Sequence, residues 1–223
     1  MSAGAPSGER RRSPKWEARR QAIVDTSARL FARRGYDATG MTELCEANDL
    51  GRGALYHYIG SKEELLAAIH DRVMDEVMEG AERASGAGAS PTQTLRMLGA
   101  ELLDIIARYP DHVWVFLHEF PALSGERAER FHRRRRELER HVEAALEAGV
   151  ASGDFREVDP RLTALAWLGM HNYAYLWMKS EGPLSAREIA QRFGDIFVQG
   201  ISATEPGAPE PGAAGATAAQ GAE

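Results

Sequence analysis

Cysteine is nearly absent: Cys45 is the only one in 223 residues. An internal disulfide is excluded, and the chain suits a reducing compartment. Long apolar runs are missing too. None reaches the ~18 residues of a membrane span, and Arg10-Arg11-Arg12 is followed by no apolar stretch of the kind that makes a secretory leader. A cytoplasmic location without a membrane partner is expected. Also lacking are paired metal ligands, a glycine-rich phosphate loop, and any Ser-His-Asp or Cys-His set. No metal, no cofactor and no catalytic constellation is therefore expected. An enzyme acting on an acyl thioester is kept only as an alternative.

Charge of one sign is scarce where it matters. The net charge of −6 argues by itself against a nucleic-acid partner, but its distribution reverses that. Residues 1–62 hold 11 Lys and Arg against 7 Asp and Glu, a net of +4, which leaves −10 for the remainder. A basic head on an acidic body suits a DNA reader, because phosphate contact supplies much of the affinity and the acidic part is turned away from the duplex.

The head is organised around Thr39–Leu66. The pattern predicts a short helix over 42–47, a turn at Asn48-Asp49-Leu50, a second helix over 52–59, and a third opened by Ser61-Lys62-Glu63-Glu64. Gly51, Gly53 and Ala54 keep the front of the second helix narrow, and Arg52, Tyr56, His57 and Tyr58 reach out from it. That shape suits a helix entering the ~12 Å major groove. Leu55 and Ile59, four apart, face inward. Arg52 is the one side chain here able to make a bidentate contact to guanine.

Four pieces carry a family resemblance: Phe31-Ala32-Arg33-Arg34-Gly35-Tyr36, Ala38-Thr39, Gly53-Ala54-Leu55-Tyr56-His57-Tyr58-Ile59 and Ser61-Lys62-Glu63-Glu64-Leu65. In this order and spacing they resemble the N-terminal domain of TetR-family bacterial transcriptional repressors. The resemblance implies DNA contacts by Arg52, Gly53, Tyr56 and Tyr58, with His57 beside them, and phosphate contacts by Thr42 and Lys62. It also implies a palindromic double-stranded operator read by a homodimer. The sequence departs from the family's habit at three places: Gly40 and Gly51 stand where serine or threonine usually caps a helix, and Asp49 stands where glycine is usual. Asp tolerates left-handed backbone better than most residues. A protein that coats DNA without sequence preference is the alternative within this class.

The expected architecture is all-α: a disordered basic arm over 1–14, a helix-turn-helix domain over 15–62, a ligand-binding and dimerisation bundle over 63–203, and a disordered tail over 204–223. Helix 1 is expected over 16–34 with a positive-φ glycine at Gly35. Ile23, Leu30 and Phe31 should pack on Leu44, Leu50, Leu55 and Ile59. Cys45 is expected to pack inward, against a lesser prospect of redox sensing. Helix 4 should run from Lys62 to about Gly80 under an S-x-x-E capping box and join head to body. A Gly/Ala/Ser linker follows over 81–90. Further helices are expected over 91–109, 111–120, 124–152, 161–179 and 185–202, with Ser124 capping the long one. Its Arg133-Arg134-Arg135-Arg136 run reads first as a solvated face paired at i,i+4, as Glu129 with Arg133. A second nucleic-acid site or a dock for ligand phosphates are the other readings.

The segment 161–179 is apolar nearly all round and must be covered on two sides. Trp167, Ile189, Phe193, Ile196, Phe197 and Ile201 are the expected dimer interface, in a four-helix arrangement of the last two helices of each copy. Trp114, Leu117, His118, Trp167, Met170, His171 and Tyr175 are the expected lining of an apolar pocket, as against a plain core. Tyr175–Lys179 with Glu181–Ser185 is similar to the tail of TetR-type regulators that sense acyl-CoA thioesters. The expected partner is thus a small apolar ligand or an acyl-CoA, whose phosphates find only Arg161 and Lys179 on this helix.

Overall fold

The computed structural model describes residues 13–179 and 181–203; the arm up to Arg12 and the tail from Thr204 lie outside the described residues. Within them the chain is all-α apart from one isolated bridge, Phe155 to Ser202. Helix α1 (Pro14–Arg34) starts earlier than expected. Ser13 Oγ accepts from the Trp16 N–H at 3.3 Å and Pro14 takes the first helical position. It ends at Gly35, φ 86° and ψ 153°, a backbone region open to glycine alone. Helix α2 (Met41–Asn48) is capped from Gly40, whose N–H donates to the Glu43 carboxylate at 3.0 Å. Asp49 takes the left-handed conformation, φ 50° and ψ 53°, and α3 (Arg52–Ile59) follows with the expected bounds.

Ile23, Val24, Phe31, Leu44, Leu55 and Ile59 form one buried cluster. It is not closed within the head. Leu65, Leu66 and Ile69 of α4 (Lys62–Gly86) complete it, together with Val115, Leu123 and Phe131 from further along the chain. Cys45 is half-buried at its edge.

Two expectations about α4 are corrected. The capping box is only half made: Ser61 Oγ accepts from the Glu64 N–H at 3.0 Å, while the Glu64 carboxylate takes Arg127 at 3.1 Å. The helix also runs six residues past Gly80, and only 87–90 remain as linker. Gly80, Ala81 and Ala84 are small because α5 (Pro91–Arg108) lies against them, not because the helix stops. A Cβ on Gly80 would stand 2.9–3.1 Å from the Glu101 side chain.

α5 runs through the middle of the body, packed by α4, α7 (Gly125–Ser152), α8 (Pro160–Asn172) and α9 (Ala186–Ile201). Between α5 and α7 lie α6 (Pro110–His118) and a 3-10 turn, Phe120–Ala122. Ser124 is the N-cap residue of α7, but its side chain makes no cap bond; its hydroxyl donates to Glu63 at 2.7 Å and pins the start of α7 to the start of α4. Helix α8 ends seven residues short of the expected Lys179, turning into a 3-10 segment at Tyr173–Leu176 with Ala174 buried. The reciprocal Ser185–Glu188 box at the start of α9 is present.

Candidate DNA-reading surface and effector cavity

The turn and α3 place the expected contact residues on one outer face. Thr42, Arg52, Gly53, Tyr56 and His57 are exposed, while Leu55 and Ile59 seat the helix from behind. A Cβ added at Gly51 or Gly53 would meet nothing within 4 Å, so no internal packing requires these glycines. Their effect is a thin helix front and uncapped N–H groups at an end of favourable polarity for phosphate. Tyr58 and Lys62 are half-buried. Lys62 Nζ stands 4.1 Å from the centre of the Tyr36 ring.

Sequence reasoning missed Trp16. Its indole N–H donates to His57 Nε2 at 3.3 Å, and its ring packs on Tyr58 at 5.4 Å. The first turn of α1 thus braces the end of the reading helix. Arg19 adds a bond to the Asn48 carbonyl at 3.0 Å, tying α1 to the turn. These contacts span 41 and 29 residues, and no local spacing announces them.

The body holds an apolar cleft between its helices. Val73, Met74 and Val77 of α4, Leu102, Ile105 and Ile106 of α5, and Val113, Phe116 and Leu117 of α6 line it. Phe120, Phe131, Leu138 and Leu168 complete the apolar wall, and Arg135 and Asn172 are the polar groups on it. Of the seven expected pocket residues only Leu117 is among them. Trp114 and His118 lie elsewhere around α6, stacked at 4.4 Å, and the Tyr175 hydroxyl donates to His118 Nε2 at 3.0 Å. Trp167 and His171 are core residues, each 1% exposed, and the His171 ring packs on Phe193 at 5.6 Å. Gly99 of α5 leaves room for that imidazole, 2.5 Å from where a Cβ would be. Met170 is half-buried off the cleft. A stretch apolar all round gives no rotation about its own axis, so the pattern does not say which of its residues face this cleft.

The expected interface residues differ in exposure. Trp167, Ile189 and Ile201 are buried in the chain's own core. Phe193 and Phe197 are half-buried against the same core. Ile196 is 64% exposed, and the exposed large apolar residues of α8 and the segment after it are Leu162, Leu165, Tyr173, Leu176 and Trp177, the last with its ring 6.0 Å from that of Phe193.

Carboxylates neutralise the arginine run. Arg134 meets Asp75 at 2.6 Å, Arg136 meets Glu139 and Glu143 at 2.8 and 2.7 Å, and Arg133 reaches Glu129 at 3.9 Å. Arg135, half-exposed at the rim of the cleft, reaches the same Glu139 at 3.7 Å. With Arg127 on Glu64 and Arg130 on Asp71, Arg134 makes a ladder of ion pairs between α7 and α4.

Two bonds tie the head to α6. His112 Nε2 donates to Asp25 at 3.0 Å, and the Tyr36 N–H donates to the Glu119 carboxylate at 3.0 Å. Burial lowers the His112 pKa, partly offset by Asp25. Val113, Phe116 and Leu117 of the same helix line the cleft.

A reading helix on a small outer head, mounted on a helical body with an apolar cleft, defines a helix-turn-helix regulator of transcription. Comparison with known proteins agrees in both halves. Residues 23–69 match the family described as bacterial regulatory proteins of the tetR family, and residues 88–201 match the tetracyclin repressor-like C-terminal domain. The chain belongs to the TetR family of transcriptional regulators, a family of DNA-binding proteins and not of enzymes. It is similar to the TetR-family regulator PfmR of Thermus thermophilus, 32% identical with a TM-score of 0.74, over 79% of this chain and 96% of that one. AibR, solved with isovaleryl coenzyme A and operator DNA, is 31% identical with a TM-score of 0.72, over 83% and 98%. The repressor KstR2 of Mycolicibacterium smegmatis is 26% identical over 84% of this chain and 92% of its own length. No helix among the described residues is long and apolar enough to cross a membrane.

Proposed function

We propose that the chain is a cytoplasmic repressor that binds a palindromic operator as a homodimer and releases it when an apolar or acyl-CoA-type ligand fills the cleft. The head is taken as residues 15–62 and the body as 63–203. The observation that carries the DNA half is the common outer face of Arg52, Gly53 and Tyr56, set on the buried pair Leu55 and Ile59. Arg52 reads a base edge; Thr42, Tyr56, His57, Tyr58 and Lys62 hold phosphates or sugar edges.

For the ligand half, the support is an apolar cleft rimmed by Arg135, together with the likeness to AibR and its acyl-CoA. The acyl part suits the cleft. Arg135 suits its anionic part. Two walls of the cleft lead to the head: α4, which continues from it, and α6, which holds it through Asp25 and Glu119. A ligand that spreads α4 from α6 changes the tilt of α1 and so the separation of the two reading helices. A differential affinity of ~1–3 kcal/mol between the two states gives ~5- to 150-fold release.

Selection of bound duplexes from a random pool tests the first half, with an inverted repeat as the expected product. Equal retention of all sequences would instead support a DNA-coating protein. Isovaleryl, octanoyl and longer acyl-CoAs then test release from the selected operator, and indifference to every one of them counts against the ligand half alone.

A further inference from the structure

Two buried side-chain atoms among the described residues, both on α4, have no hydrogen-bond partner: Arg72 Nε, which still faces the Asp25 carboxylate at 3.8 Å, and His70 Nε2. His70 lies on α4 and is 3% exposed. Its Nδ1–H donates to the Leu66 carbonyl at 2.9 Å, which fixes the tautomer and leaves Nε2 as a bare acceptor. That Nε2 is enclosed and unpaired. Burial holds the imidazole neutral, with its pKa pushed down to about 4, so at neutral pH the atom accepts and does not donate. Native interiors pair such groups, and the exceptions call for an explanation.

The place of the ring supplies one. It lies tilted on Phe116 at 5.6 Å and edge-on to Phe131 at 5.4 Å, and both phenylalanines line the effector cleft. His70 itself lines a second, much smaller space between α4 and α7. The two spaces share Met74 and Phe131. Phe131 and Met74 therefore border both spaces, and Phe131 is the side chain that would have to turn for the apolar cleft to reach His70. Resting on the reading of that cleft as the effector site, we infer that His70 Nε2 is a recognition atom and that the effector presents a hydroxyl to it.

The neighbours select that chemistry. A carboxylate or phosphate brings a second acceptor to an acceptor. An ammonium would be stripped of water beside Phe116, Phe131 and Met74, with Asp71 already held by Arg130 at 2.7 Å. An amide would bring a carbonyl, for which the apolar side chains offer no donor and the arginines of the small space, Arg127, Arg130 and Arg134, are already paired with Glu64, Asp71 and Asp75. A hydroxyl makes one bond and leaves little else to satisfy. Because His70 stands on α4, the bond forms on the helix that carries the head.

Octan-1-ol and 1-methoxyheptane are isomers of one composition, and only the alcohol can donate. An apolar cleft without a bare acceptor takes the ether at least as well. The protein is expected to bind the alcohol roughly tenfold or more tightly, by calorimetry. His70→Phe should erase that preference while leaving ether binding in place. A second readout needs no variant: the imidazole Nε2 nitrogen resonance of His70 should move with the alcohol and stay still with the ether. Equal binding of the two, or an unmoved Nε2, overturns the inference and leaves the cleft as effector site. Failure of both compounds to bind overturns the effector reading and this inference with it.

Discussion

Arg52 stands at the first turn of α3 with exposed glycines on both sides, and no described ion pair holds its guanidinium. It is free to make a two-pronged bond to one base. Arg52→Ala should cost ~1–3 kcal/mol of operator affinity and relax preference at one base position per half-site. Binding measured against operators varied at each position checks this, and a uniform loss across all sequences would contradict a base contact. This residue was legible because its spacing from Leu55 and Ile59 fixes its face on a short helix. Trp16 was not, since its contacts with His57 and Tyr58 exist only after α1 folds back on α3.

Buried histidines set a second residue-scale expectation. His70 and His171 are held at about 4 against an ordinary 6.5, in both cases chiefly by burial. Below 6.5 the unfolded chain takes up protons that the folded chain refuses. Stability is thus lost as pH falls from 6.5 towards 4 and levels off once the folded imidazoles are also charged. Two such groups give a slope of up to about 2.7 kcal/mol per pH unit in that window. Either His70→Gln or His171→Gln should flatten the dependence of the urea midpoint on pH between 6.5 and 4. A slope equal to that of the unchanged protein would rule out the neutral buried form.

Among the elements, α4 is both the spine of the head core and a wall of the cleft, and it was read too short. Small residues at Gly80, Ala81 and Ala84 look like a linker when only composition is weighed. They are instead the surface on which α5 closes, with Arg83 of α4 bonded to Glu101 of α5 at 2.9 Å. Gly80→Leu should push the Glu101 side chain away and cost ~1–3 kcal/mol, as overpacking does. A denaturant midpoint within error of the parent protein would show that the joint is looser than its contacts imply. By contrast, the ion pairs of α4 with α7 are largely exposed, and Arg130→Ala belongs in the range of ~0–1 kcal/mol. The bounds of α5 were legible because the Ser90 cap, Pro91 and the apolar period agree there, and those of α3 because Gly51 and Gly60 bracket the Leu55 and Ile59 pair. The faces of α6 and α8 were not, because a helix apolar on every side is oriented only by what packs on it.

At the scale of the whole molecule, two reading heads need a fixed spacing of about 34–36 Å, one turn of the duplex, and only a second copy can supply it. The apolar surface left over after folding points to where that copy sits. Leu162 is 66% exposed on α8 and Ile196 is 64% exposed on α9, while Trp167 between them in sequence is 1% exposed. Single exposed apolar residues are ordinary, but a stripe of them along α8 continuing into Tyr173, Leu176 and Trp177 is large enough to need cover. Charged substitutions should therefore separate the two kinds of position. Leu162→Glu with Ile196→Glu should leave helix content and the thermal transition nearly unchanged, yield monomers in sedimentation, and bind a single half-site about as well as the full operator. Trp167→Glu should instead unfold the body, since it buries an unpaired carboxylate among Ala164, Leu168 and the His171 ring. A double variant that still sediments as a dimer and still prefers the full operator would move the interface off α8 and α9, and with it the account of how the cleft sets the distance between the heads.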